Sequence, residues 1–156
     1  MSDLNTLLLE AMNSELEAKN FYIDASRKAQ SQAGKKLFSE LAAFEQNHYN
    51  KVKKIIKSLE DEIRIEEPSG IQNIQHFNAE IEGEFEPNKD EIATVINLAI
   101  DSEKNARARY EKIASLFDNL ESKKIFNNLA QDERNHQRIL EDEFYQLSNK
   151  GTIIWE

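Results

Sequence analysis

Residues 41–48 read LAAFEQNH, and residues 129–136 read LAQDERNH. Each octet sets a glutamate and a histidine three positions apart, Glu45 with His48 and Glu133 with His136. On a helix that spacing puts both side chains on one face, about one turn apart. A lone Glu-x-x-His is weak evidence, because most are surface decoration or a core histidine with a partner. Here the motif occurs twice, and the duplication reaches beyond the octets. An offset of 88 residues also overlays Ala11 on Ala99, Ser14 on Ser102, Glu15 on Glu103, Ala18 on Ala106 and Tyr22 on Tyr110. It carries Lys35 and Lys36 onto Lys123 and Lys124, and Phe38 onto Phe126, without slipping. Helical periodicity repeats residue classes; repeated identities at polar positions point to a duplicated unit.

Outward from the octets, apolar stripes of three-four spacing predict four helices. The first runs from Leu4 to about Gln30, with Leu4, Leu8, Ala11, Ala18, Tyr22, Ala25 and Ala29 on its stripe. Ser31, Gln32, Ala33 and Gly34 are read as a turn. The second runs from Lys35 to about Glu60, with Phe38, Leu41, Val52, Ile55 and Leu59. The third spans about Asp90 to Phe117, with Ile92, Val95, Ala99, Ala106, Tyr110 and Ile113, its start capped by Asn88. The fourth spans about Glu121 to Leu147, with Ile125, Leu129, Leu140 and Leu147; Gly151 then ends helix before the apolar tail Thr152 to Trp155. Trp155 is read as a packing residue of that tail.

Between helices two and three, about residues 61–89 form a connection fenced by Pro68 and Pro87. It is too long for adjacent antiparallel helices and long enough to run the length of a bundle. Ile71, Ile74, Phe77 and Ile81 suggest a short helix lying outside, and His76 within it is read as an ordinary surface or packing residue. The expected architecture is all-α: a ferritin-like four-helix bundle of two helical hairpins joined by a long crossover. Each hairpin buries the other's apolar face, so residues 1–156 are read as a single domain.

The chain of 156 residues suits one core. It contains no cysteine, which excludes disulfides, thiolate nucleophiles, thiolate zinc sites and iron–sulfur clusters. A net charge of -9 argues against duplex nucleic acid and anionic membrane surfaces as partners. No unbroken apolar stretch suits a signal peptide or membrane span, and a cytoplasmic protein is expected.

The function turns on the polar residues that interrupt the stripes. Glu15 falls between Ala11 and Ala18, and Glu103 between Ala99 and Ala106. Glu45 and His48 lie between Leu41 and Val52, and Glu133 and His136 between Leu129 and Leu140. Four carboxylates and two imidazoles therefore converge at mid-height in the core. An unpaired buried carboxylate costs several kcal/mol or takes up a proton. Two divalent cations would balance four carboxylates, with the histidines as neutral nitrogen ligands. This ligand set suits iron and manganese, and also zinc. Tyr22 and Tyr110, two turns beyond Glu15 and Glu103, have two readings. They are core residues bonded across the bundle, or functional ones: donors to a ligand carboxylate, or residues close enough to pass an electron. Asp132 and Asp101 are candidates to hold a ligand histidine, whereas Glu10, Glu17, Glu40 and Glu141 look solvent-facing.

The segments ELEAKNFY (15–22) and EKNARARY (103–110), with EQNH (45–48) and ERNH (133–136), resemble the ferritin-like domain of rubrerythrins. The likeness covers nearly the whole chain. It implies two metal ions per chain, most readily iron, held by Glu15, Glu45, His48, Glu103, Glu133 and His136. It further implies that Glu45 and Glu133 bridge the metals while Glu15 and Glu103 are terminal. Two features depart from that pattern. Typical rubrerythrins carry a cysteine-rich rubredoxin domain that receives electrons, which this cysteine-free chain lacks. They also carry a second glutamate one turn after the helix-three ligand, linked to peroxide chemistry, where this chain has Ala106.

The resulting expectation is a non-haem di-iron oxidoreductase that reduces hydrogen peroxide or dioxygen as bound ferrous iron is oxidised. Turnover then needs an external donor such as a rubredoxin or a flavoprotein, and a homodimer is expected. A ferroxidase serving iron storage, or a metal-stabilised interaction bundle without turnover, are the alternatives.

Overall fold

The computed structural model describes residues 2–61 and 84–155. The predicted short helix with Ile71, Ile74, Phe77 and Ile81, together with Pro68 and His76, lies outside these residues. Four helices account for nearly all of the described chain: α1 (Ser2–Lys28), α2 (Gln32–Asp61), α3 (Lys89–Leu116) and α4 (Leu120–Lys150). α1 packs along α2 and α3 along α4, and the two hairpins meet with α1 against α3. Tyr22 of α1 reaches Glu103 of α3, and Tyr110 of α3 reaches Glu15 of α1, so these two helices run antiparallel.

The apolar stripes build two blocks. One gathers Tyr22, Leu37, Phe38, Leu41, Ile96 and Leu140, and the other Leu8, Val52, Ile55, Tyr110, Phe126 and Leu129. On every helix the residues of the two blocks are separated by the Glu and His positions. A polar layer thus divides the core at mid-height. α2 ends beside the second block and α3 begins beside the first, so the connection joins opposite ends of the bundle, as a crossover must.

The repeat is legible in the helix ends. Ser31 accepts the amide of Gly34 on its hydroxyl and that of Lys35 on its carbonyl, which makes it the cap of α2. Asn119, its counterpart, caps α4 through the amides of Glu121 and Ser122. The Lys35 amine donates to the Ser26 carbonyl, and the Lys123 amine to Ala114, so each stabilises the C-terminal end of the preceding helix.

Three local expectations are corrected. Gln32, Ala33 and Gly34 are helical, and the first turn is confined to residues 29–31. Asn88 sits at the start of α3 but makes no side-chain cap; its amide group donates instead to the Lys28 carbonyl across the hairpin end. Leu59 is exposed, because it lies in the last turns of α2, beyond the apolar block that ends at Ile55 and Ile56.

Gly151, at φ 67, closes α4 in the left-handed region that a glycine adopts without strain. The tail beyond it forms a two-residue strand, β2 (Thr152–Ile153), antiparallel to β1 (Glu84–Phe85). Ile153 and Trp155 are buried in the first apolar block. The Trp155 indole donates to Glu40, so Glu40 is not simply solvent-facing.

Candidate metal centre

Each of the six polar residues reaches the middle layer because its helix register leaves no other direction. Along each helix, residues of the two apolar blocks lie on either side of these positions, which turns the intervening stripe positions inward. Glu15, Glu45, His48, Glu103, Glu133 and His136 are all at most 2% exposed. The structure brings them into two adjacent groups whose donor atoms lie within 4.8 Å of one another. One group is Glu15, Glu45, His48 and Glu133; the other is Glu45, Glu103, Glu133 and His136. Glu45 and Glu133 belong to both.

The donor atoms converge without satisfying one another. His48 Nδ1 lies 3.0 Å from Glu133 Oε1, 3.7 Å from Glu15 and 3.9 Å from Glu45. His136 Nδ1 lies 3.3 Å from Glu45, 3.4 Å from Glu133 and 3.5 Å from Glu103. Even so, both Nδ1 atoms, both Glu45 oxygens, and one oxygen each of Glu15, Glu103 and Glu133 are buried without an aligned hydrogen bond. Leaving a buried polar group unpaired costs about 1–3 kcal/mol, and more if it is charged. Seven such atoms aimed at two points are what a pair of cations would satisfy. Carboxylate and imidazole together fit iron, manganese or zinc, so the donor chemistry agrees with the geometry.

The remaining polar atoms of the centre are held from outside. Tyr22 donates its hydroxyl to Glu103, and Tyr110 donates to Glu15. Burial, and then the nearby carboxylates, push both phenols well above their ordinary range, so they are neutral donors. The tyrosines thus pack in the core, with their hydroxyls bonded across the bundle to Glu103 and Glu15. Asp132 accepts from His48 Nε2 at 3.1 Å, whereas Asp101 is exposed on α3 and holds nothing in the centre. Phe44 meets the His136 ring edge-on, with centroids 5.0 Å apart. Ala11, Ala99 and Ala106 are buried beside the layer.

Without metal, protons do part of the balancing. Burial raises Glu45 well above the carboxylate range, and the charge of Glu133 raises it further. Burial and Glu133 likewise lift Glu103 to about 8. Burial disfavours charge on the histidines, but facing carboxylates outweigh it, chiefly Glu133 at His48 and Glu103 at His136, and both imidazoles are raised. Burial also works against the charge of Glu133, yet His48 and then His136 hold it below the usual range. Glu133 is thus the ionised hub between two imidazolium rings.

Comparison with known proteins agrees with this geometry. The family model described as Rubrerythrin matches residues 6–141. Among solved structures, a hypothetical protein from Pyrococcus furiosus superposes with a TM-score of 0.74 at 26% identity, covering 96% of this chain and 94% of that one. No curated protein matches the sequence.

Proposed function

The chain belongs to the rubrerythrin family, and from that premise we propose that it is a non-haem di-iron protein that reduces hydrogen peroxide or dioxygen. The observation that carries this reading is the pair of adjacent four-residue groups sharing Glu45 and Glu133, lined by buried donor atoms that lack partners. Two ferrous ions held there would make one electron each available to the oxidant.

The protein's own groups do the rest. Glu45 and Glu133 would serve both positions, while Glu15 with His48 and Glu103 with His136 would each complete one. The Tyr110 and Tyr22 hydroxyls stay protonated and fix one oxygen of Glu15 and of Glu103, leaving the other oxygen of each for the cation. Binding must displace protons from Glu45, Glu103, His48 and His136, so loading weakens as pH falls. The residues at 11, 99 and 106 that flank the polar layer are buried alanines, small side chains beside the site. At position 106 there is no carboxylate to act in peroxide chemistry, and dioxygen competes with peroxide as oxidant. Return to the ferrous state needs an external donor, for which a rubredoxin or a flavoprotein is suited.

The test is anaerobic titration of metal-free protein with ferrous iron, followed by a measured amount of hydrogen peroxide. Two irons per chain and a new ferric charge-transfer band, both lost in Glu133→Ala, are expected. Two irons bound without oxidation by peroxide or dioxygen would retain the metal centre and remove the redox function. Comparing the consumption of the two oxidants identifies which is preferred.

A further inference from the structure

The two halves of the centre share every residue that faces the metal positions, yet they are buttressed differently. Glu15 and Glu103 are counterparts in the repeat, as are His48 and His136, and the tyrosine hydroxyls treat both glutamates alike. What differs is the neighbour each imidazole has outside the polar layer. His48 Nε2 is bonded to the Asp132 carboxylate of α4 at 3.1 Å. The 88-residue offset places Phe44 of α2 where Asp132 stands, and its ring lies edge-on against His136. Among the described residues, every ion-pair contact of His136 is made through Nδ1.

This difference falls on the atom that sets ligand quality. A histidine that offers Nδ1 to a cation carries its proton on Nε2. A carboxylate accepting that proton fixes the tautomer, holds the ring in place and makes Nδ1 a better donor. Asp132 does all three for His48. His136 packs against an aromatic ring and, among the described residues, has no carboxylate on Nε2. Side-chain exposure of 28% leaves Asp132 partly solvated.

We propose that the two metal positions are inequivalent: the Glu15–His48 position fills first and holds its ion more tightly, with Asp132 as its positioning residue. The inference rests on the metal-binding part of the function proposed above and is independent of the redox part. Its consequence is a stepwise centre in which the Glu103–His136 ion is the exchangeable one.

Anaerobic titration of the metal-free protein with cobalt(II), followed by calorimetry and by the visible ligand-field bands, reads the two steps directly. The wild type should bind in two resolved steps. Asp132→Ala should weaken the first step about 10–100-fold, with the second little changed, and should alter the ligand-field bands of the first ion. Asp132→Asn, whose side-chain oxygen still accepts the Nε2 proton, should restore part of the affinity. Phe44→Asp should strengthen the second step toward the first. Circular dichroism checks that each variant is folded. Equal weakening of both steps in Asp132→Ala would assign Asp132 a merely structural role and overturn the proposal. So would two ions bound without resolvable steps in wild type and variant alike. If folded wild type binds no cobalt(II), both this inference and the metal reading fail. Stepwise binding without any oxidation of ferrous iron supports the inference and removes only the redox function.

Discussion

Glu86 and Glu45 are equally buried carboxylates with opposite surroundings. Glu86 precedes α3 and reaches the tip of the first hairpin. There it accepts the Gln30 amide at 2.9 Å, the Ser31 amide at 3.1 Å, the Ser31 hydroxyl at 2.8 Å and the Asn88 amide at 3.4 Å. A Cβ on Gly34 would come within 2.9 Å of both Glu86 Oε1 and Ser31 Oγ, so the clasp requires glycine there. Glu45 has no aligned hydrogen bond on either oxygen and faces other carboxylates as well as the two imidazoles. Burial alone therefore does not mark a functional acid. A carboxylate surrounded by donors is complete within the protein, whereas one surrounded by acids is complete only with a proton or a cation.

The largest effect should follow removal of the hub. Glu133→Ala takes away a donor common to both positions and an ionised partner of both imidazolium rings. Metal content after desalting should fall from two ions per chain toward none while the helical spectrum persists. Retention of one tightly held ion would show that Glu133 serves a single position.

Next in size is the coupling of metal, pH and stability. Glu103 is held at about 8 in the folded metal-free protein against about 4.3 in an unfolded chain. Between those values the folded form binds the extra proton, so stability falls as pH rises. The raised histidines act in the same sense: their contribution is full below about pH 6.5 and is lost as pH rises through their folded values. Glu133, held low, acts oppositely, but its change falls at acid pH. The metal-free protein should therefore melt lower at pH 9 than at pH 6. Metal at a hundredfold excess over Kd adds about 2.7 kcal/mol per position, and the benefit grows with pH. A metal-free melting temperature that rises over this range would contradict the assigned protonation.

Glu86→Ala sharpens the contrast. It strands several buried donors and should cost about 2–3 kcal/mol by denaturant unfolding. Metal stoichiometry should be unchanged, because the clasp touches none of the six residues. Loss of metal with intact stability would mean that the two carboxylates had been assigned the wrong roles.

Much of this contrast is visible in the sequence, and the part that is not has a physical reason. The metal centre is legible because helix geometry is local: a glutamate at stripe spacing between Ala11 and Ala18 has one direction to point. The repeat then supplies the other half without knowledge of tertiary contacts. Asp132 was within reach for the same reason, being next to Glu133, although only the packing of α2 against α4 separates it from Asp101. Glu86 has no such signal. It has no repeat counterpart, it lies outside the helices, and its partners at residues 30 and 31 come to it only through the folded hairpin. The β1–β2 pair escapes for the same reason, since two residues on each side carry no periodicity.

Glu143 stands between the two extremes and gives the finest test of the comparison. It is buried on α4 under the C-terminal tail; one oxygen accepts the Ile154 amide at 3.2 Å and the other has no partner. Burial pushes it up to about 7, with the Ile154 bond pulling down and Asp142 pushing up. One donor is thus too few to keep the acid in its ordinary range, whereas no clasp like that of Glu86 and no cation group like that of Glu45 is present among the described residues. Between about pH 4.3, where the unfolded side chain titrates, and about 7, the folded protein holds a proton that the unfolded chain has released. Stability then falls with rising pH and levels off above 7. Glu143→Gln keeps an oxygen for the Ile154 amide and removes the titration. The variant should match the wild type near pH 5 and exceed it slightly near pH 8, in metal-free and metal-loaded protein alike. If its advantage appears only in the metal-free form, Glu143 is electrostatically tied to the centre and the carboxylates are not independent.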